Sequence, residues 1–201
     1  MRPSLASMAV LLTLAVVGCG TTTPSPASPT GSPVPATNPA GAAAAAHVGS
    51  GCGFIPERGS GSFKSMSTQR AVSAVASNPQ LSVFTSAIKT AALDDRLNAL
   101  HAFTLFIPVN SAFSALSKSQ VTYLRKPANL VRVVRHQVVP ASVTPARIAR
   151  GVTVSSLSGA RLTLAKHGPH YQVNGATVVC GNIKTANGTI YVIDRVLLPH
   201  H

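Results

Sequence analysis

Carboxylates are almost missing from this chain of 201 residues. Glu57, Asp94, Asp95 and Asp194 stand against 17 lysines and arginines, for a formal net charge of +13. No two of the four are paired in a way that suits general acid–base work. A Ser-His-Asp triad needs a carboxylate to orient its histidine, and none is placed for it: Asp94 and Asp95 read as a helix end, and Asp194 stands beside Arg195. Tryptophan is absent and there are 3 tyrosines, so the core must be aliphatic. The 3 cysteines include no Cys-x-x-Cys, which removes the common zinc and dithiol motifs. There is no glycine-rich phosphate loop. The longest apolar run, residues 5–17, falls short of the roughly 20 residues that cross a bilayer. The sequence offers no active site, and neither a cofactor nor a metal is expected.

What the chain has in excess is positive charge, which attracts polyanions such as acidic polysaccharide or anionic lipid. Its first segment explains where it meets them. Residues 1–18 read as an export signal, with Arg2 ahead of the apolar run. The segment ends Val16-Val17-Gly18-Cys19, similar to the bacterial lipobox, whose cysteine is acylated. Cys19 is therefore the expected lipidation site, an ordinary secretory signal being the plainer alternative. Residues 20–47 hold six prolines and no Asp, Glu, Lys or Arg. Such a composition buries no core and stays extended. This stretch has a reach on the order of 80 Å, and residues 19–51 as a whole read as a disordered tether. Nucleic acid is not an expected partner of an exported protein.

The folded domain is expected over residues 52–201. Thr68 reads as the cap of a helix with Ala71, Val72, Val75 and Ala76 on one face. Asn78-Pro79 opens a second, striped by Leu81, Phe84 and Ile88. Ser119 reads as the cap of a helix carrying Val121 and Leu124. A further helix buries Leu130, Val131 and Val134, and Thr144-Pro145 starts a short one that Gly151 ends. From Val152 the period turns to two. Val152/Val154, Leu162/Leu164 and Val173 mark strands, and Gly168-Pro169, Asn174-Gly175 and Asn187-Gly188 mark turns. The Asn-Gly pairs suggest type I′ hairpins.

The centre of the design is Phe103-Thr-Leu-Phe-Ile-Pro-Val-Asn-Ser-Ala-Phe113. Phe103, Leu105 and Ile107 alternate with Thr104 and Phe106, so the strand is apolar on both faces and belongs inside a sheet. Pro108 ends it. Asn110 reads as the N-cap of a helix that carries Phe113 and Leu116 into the core. This corner resembles the first signature of fasciclin domains, Thr-x-Phe-x-Pro-Thr-Asn-x-Ala-Phe, with Val109 in place of its Thr. Thr189 to Pro199, which contains Asp194, resembles the second signature and reads as the last strand. The likeness covers about residues 60–199.

The resemblance implies an α+β fold, a single domain of helices wrapped around a β-wedge or sandwich of two sheets. It also implies a non-enzymatic adhesion module with a surface or matrix protein as partner. Fasciclin domains usually carry Tyr-His between the signatures, a neighbourhood linked to integrin binding in animal relatives; here Arg135-His136 stands there. His136 is expected to hydrogen-bond within the core near the Asn110 corner. With Cys19 assigned to acylation, Cys52 and Cys180 remain as one candidate disulfide pair, which export allows to oxidise. Single-fasciclin antigens and lipoproteins of mycobacterial type also have a Cys ahead of the domain and a Val-Val-Cys-Gly, matched by Val178 to Gly181.

Two weaker patterns remain, and one stronger. Ser86-Ala-Ile-Lys89 and Lys184-Thr185-Ala186 resemble pieces of the serine β-lactamase motifs, without the Ser-Asp-Asn between them. His167, His170 and the His200-His201 tail lack the partners a metal site needs. Arg125, Lys126, Arg132, Arg135, Arg147 and Arg150 fall close together, and Arg132/Arg135 and Arg147/Arg150 each share a helical face. They form a candidate stripe for anionic polysaccharide.

Overall fold

Strand β1 (Phe103–Pro108) is buried over its whole length, as its two apolar faces require. The computed structural model describes residues 46–199; the leader, Cys19, most of the tether and the His200-His201 tail lie outside the described residues. Ahead of β1 run the helices α1 (Phe63–Thr68), α2 (Ala71–Ala76), α3 (Ser82–Thr90) and α4 (Asp94–Ala99). After it come α5 (Asn110–Ser114), α6 (Lys118–Leu124), α7 (Pro127–His136), the short strand β2 (Val138–Val139) and α8 (Pro145–Ala149). Strands β3 (Val152–Ser155), β4 (Arg161–His167), β5 (His170–Val173), β6 (Ala176–Lys184) and β7 (Gly188–Ile193) complete the chain.

These strands form one sheet in the order β2-β1-β7-β6-β5-β4-β3. Only β1 and β7 run parallel; the other neighbours are antiparallel. Strand β6 belongs to both halves. It pairs with β5 at its start and with β7 beyond, and register shifts at Val178/Cys180 and Cys180/Ile183 bend it between them. The bend brings the outer strands together, for the Leu157 amide just past β3 donates to the Val138 carbonyl of β2 at 2.7 Å. The result is the expected α+β wedge, nearly closed.

Alternation on β1 and β7 fills two cores. Phe103, Leu105, Ile107, Ile190 and Val192 point to one, where α1 to α4 and α7 supply Met66, Val75, Phe84, Ile88, Leu97 and Val134. Phe106, Tyr191 and Ile193 point to the other, shared with Ile148 of α8, Leu162, Leu164, Val173 and Val178. A slip of one residue would exchange the two sets, so burial fixes the register.

Several local expectations change in the fold. Thr68 ends α1 rather than capping α2, its hydroxyl donating to the Ser65 carbonyl. Asn78-Pro79 does cap as read, but opens a 3-10 turn that leads into α3. Asp94 and Asp95 begin α4, where the helix dipole favours anions, and do not end a helix. Ser117, not Ser119, caps α6: its hydroxyl accepts the Gln120 amide and the Gln120 side chain accepts the Ser117 amide, a capping box. Leu130 and Val131 are half-buried, while Val133 joins Val134 inside. The last strand stops at Ile193, because Asp194 turns away to bind Thr177.

The two Asn-Gly turns differ. Asn174 (φ 45°) and Gly175 (φ 77°) both take positive φ, as a type I′ turn demands. Asn187 and Gly188 do not. Gly188 is needed because a Cβ there would lie 2.8 Å from the Phe103 carbonyl oxygen of the neighbouring strand. Asn187 is buried and reaches two helices: its Oδ1 accepts the Ala71 amide at 2.8 Å. Its Nδ2 donates to the carbonyls of Leu97, Asn98 and Leu100 at 3.1–3.4 Å.

Ordered packing starts ahead of Cys52. Val48 exchanges two backbone hydrogen bonds with Gly181, and the Gly51 amide donates to Val179 at 2.9 Å. The Asn182 side chain donates to the Ala46 carbonyl, and His47 stacks on Phe63 with ring centroids 3.6 Å apart. Burial there holds the His47 imidazole below its ordinary pKa, partly offset by a backbone hydrogen bond at Asn182. Residues 46–51 thus lie as a strap along β6. Cys52 and Cys180 close it with a disulfide across a sequence separation of 128.

Candidate functional site

The first signature runs down β1 and round the corner into α5, and its Thr104 and Asn110 each bond a neighbouring element. Thr104 is fully buried; its hydroxyl donates to the Ala141 carbonyl at 2.8 Å and accepts the Val143 amide at 2.9 Å. Phe106 packs at 5.7 Å, centroid to centroid, against Tyr191 of the parallel strand. The Tyr191 hydroxyl donates to the Val143 carbonyl, and burial raises its pKa far above the ordinary phenol value. Thr104 and Tyr191 therefore pin the same loop, Ala141 to Val143, from adjacent strands. Pro108 closes β1 opposite Ile193.

Asn110 is not the cap of its own helix. Val109 holds that position, and the Asn110 side chain crosses to α3 instead. Its Oδ1 accepts the Val83 amide at 3.1 Å, while Nδ2 donates to the Pro79 carbonyl and the Ser82 hydroxyl at 2.9 and 3.1 Å. Asn110 caps α3 from a distance, which no pattern local to residues 108–113 encodes. Replacing Asn110 with Ala is expected to cost about 1 kcal/mol, the usual value of a lost cap. Asn110→Asp keeps the acceptor and should retain about half of that in urea titrations; an Asp variant no better than Ala would discard the capping role. Of α5 itself, Ala112 is the residue buried. Phe113 leans on the first core half-buried, and Leu116 stays at the surface edge instead of entering it.

The second signature pairs directly with the first. Residues 103–108 face residues 188–193 one for one. Asp194 then folds back, its carboxylate accepting the Thr177 amide at 2.7 Å and its own amide donating to the Thr177 carbonyl at 3.0 Å. His136 does hydrogen-bond within the core, to serines past β3 and not to Asn110. Its Nδ1 lies 3.2 and 3.1 Å from the hydroxyls of Ser156 and Ser158, next to the Leu157–Val138 bond. It therefore holds the seam where the two outer strands meet. Gln137 beside it is buried, and its side chain donates to the Leu197 carbonyl at 2.9 Å.

The weaker motifs make local contacts. The Ser86 hydroxyl donates to Ser82 of its own helix, and Lys184 reaches Thr189 across the β6–β7 hairpin. His167 and His170 face one another across the exposed β4–β5 turn. Among the described residues no three His, Cys, Asp or Glu side chains gather as metal ligands. The basic residues divide. Arg125 and Lys126 join α6 to α7, and Arg132 and Arg135 stand exposed on α7, which serves the first core. Arg147 and Arg150 belong to α8, whose Ile148 serves the second.

A sequence model described as the Fasciclin domain matches residues 79–199. The chain belongs to the fasciclin family. Two relatives extend the likeness beyond the domain. Cell surface glycolipoprotein MPB83 of Mycobacterium bovis is 34% identical over 211 residues, covering 96% of this chain and 94% of its own. Immunogenic protein MPB70 of the same species is 35% identical over 167 residues, 79% of this chain and 85% of its own. The structure of a FAS1 domain pair from the insect cell adhesion molecule fasciclin I superposes with a TM-score of 0.54 at 18% identity. That match takes 67% of this chain and 52% of the insect one, so the chain spans about half of a two-domain molecule. The likeness there is one of fold. Within the fasciclin domain, the signature residues Thr104, Asn110 and Asp194 are joints between elements, and Phe106 is core.

Proposed function

We propose that this fasciclin domain is a non-enzymatic adhesion or protein-interaction module, held on the outer face of a bacterial membrane by an acylated Cys19. One observation carries the reading. The similarity to a protein named a cell surface glycolipoprotein runs over 96% of the chain, so it takes in leader and tether as well as domain. The buried hydroxyls and amides around the signatures bind backbone, which suits a rigid body that presents a surface. The lipid sets location, the tether gives reach, and the domain supplies the binding face. Two acyl chains or more make such an anchor stable. Replacing Cys19 with Ala should release the protein from the membrane fraction; unchanged retention refutes the anchor. Binding of the chain to intact cells and matrix proteins across a salt series tests the adhesion itself. Binding that persists with salt, saturates and selects one protein supports it, and none at any salt rejects it.

A second reading is electrostatic capture of anionic envelope or host polysaccharide. Exposed Arg132 and Arg135, three apart on α7 and close in sequence to Arg125 and Lys126, favour it. Contacts of this kind are screened within about 8 Å at physiological ionic strength. Changing Arg132 and Arg135 together to Gln should move elution from a heparin column to clearly lower salt, and an unmoved elution position removes the stripe.

A further inference from the structure

Helices α5 and α6 do not close on each other. Between them runs a groove of about 290 Å³ lined by Phe113, Leu116, Val121, Leu124 and Arg125. It continues into a space of about 300 Å³ that adds Lys118 to the wall. The four apolar residues form two pairs at a spacing of three, Phe113/Leu116 and Val121/Leu124, one from each side. None of them is fully buried, and α6 buries no residue at all. The lining is apolar and its border is charged.

We propose that this groove receives an acidic amphipathic helix of a partner protein. The proposal rests on the reading of the domain as a protein-interaction module and names the chemistry of its partner. Three features select the occupant. The walls are two short helices and the link between them, with no strand edge for an added strand to extend, whereas a helix needs only side-chain anchors. The border is basic, with Lys118 and Arg125, and no carboxylate stands anywhere between Asp95 and Asp194. Asp and Glu flanking an apolar stripe complement that border. The apolar groups line a shallow groove of about 290 Å³, room for a few inserted side chains.

The test uses the full chain carrying Cys19→Ala, so that no acyl group competes. The probe is a synthetic, end-blocked helix of roughly four turns, with leucines on one face and glutamates on either side. Fluorescence anisotropy should show saturable, salt-weakened binding, and the same helix with lysines for glutamates should bind roughly tenfold more weakly or worse. Val121→Ser with Leu124→Ser should weaken the acidic helix by about tenfold or more. Arg125→Glu, at the exposed end of α6, should weaken the acidic helix and strengthen the basic one, and it keeps the test open if the double variant misfolds. Equal binding of both helices, or none, overturns the proposal. So does capture of the chain by phosphatidylglycerol vesicles that depends on Val121 and Leu124 while the acidic helix is ignored. Binding to intact cells, followed in parallel, separates the two readings. Cell binding without helix binding ends the groove and leaves adhesion standing; helix binding without cell binding does the reverse.

Discussion

Cleaving the Cys52–Cys180 bond, by reduction or as Cys52→Ala with Cys180→Ala, is expected to lower the unfolding free energy by about 4–5 kcal/mol. The link spans 128 positions, and closing a loop of that size removes close to this much from the unfolded chain in the entropy model. Domains of this size are held by roughly 5–15 kcal/mol, so the loss is a large share of the whole. Urea titrations of the oxidised and reduced protein check it, each midpoint being converted with its own slope. A difference below about 1 kcal/mol would show that the reduced unfolded chain keeps residual structure that already holds the two cysteine segments near each other. On the Cys19→Ala chain, thiol titration under denaturing, non-reducing conditions should find no free thiol.

The second large effect is expected at Asn187. Its one amide group caps the start of α2 through the Ala71 amide and the end of α4 through three carbonyls. The Ala71 end is buried and the α4 end partly so, and water replaces the amide there poorly. Asn187→Ala should cost about 3 kcal/mol, the sum of a lost cap and unsatisfied buried groups. Asn187→Asp keeps the acceptor for Ala71 but sets a negative charge against the carbonyl end of α4, and should do no better. A loss under about 1 kcal/mol for the alanine variant would mean that Arg70, which also reaches the Asn98 carbonyl, holds the joint alone.

How far the sequence reached depends on the range of the interactions. Strand β1 was legible because both its faces are apolar and Pro108 stops it, and the helix opened by Thr144-Pro145 because its cap lies within three residues. The capping box Ser117-x-x-Gln120 is present in the sequence, and a cap placed at Ser119 misses the glutamine partner. Asp94 and Asp95 carry a usable signal too, since acids prefer the first turn of a helix. Asn110 and Asn187 lie beyond local reading. Each looks like an ordinary cap or turn residue, and each bonds helices that only the tertiary fold brings near. His136 meets its serines for the same reason, twenty positions downstream. The groove between α5 and α6 reads as core in the sequence, because a helical stripe does not say whether its facing surface is filled.

The strap has a mechanical consequence. On the anchoring proposed at Cys19, tension along the chain would arrive through residues 46–51 at Cys52. The disulfide passes it straight to Cys180, in the middle strand of seven, so the loop between the two cysteines cannot be drawn out while the bond lasts. For a load that leaves the domain beyond Cys180, the segment past that residue is what lengthens. An oxidised domain therefore transmits load as a short link, and a reduced one that unfolds under load can lengthen by the whole loop.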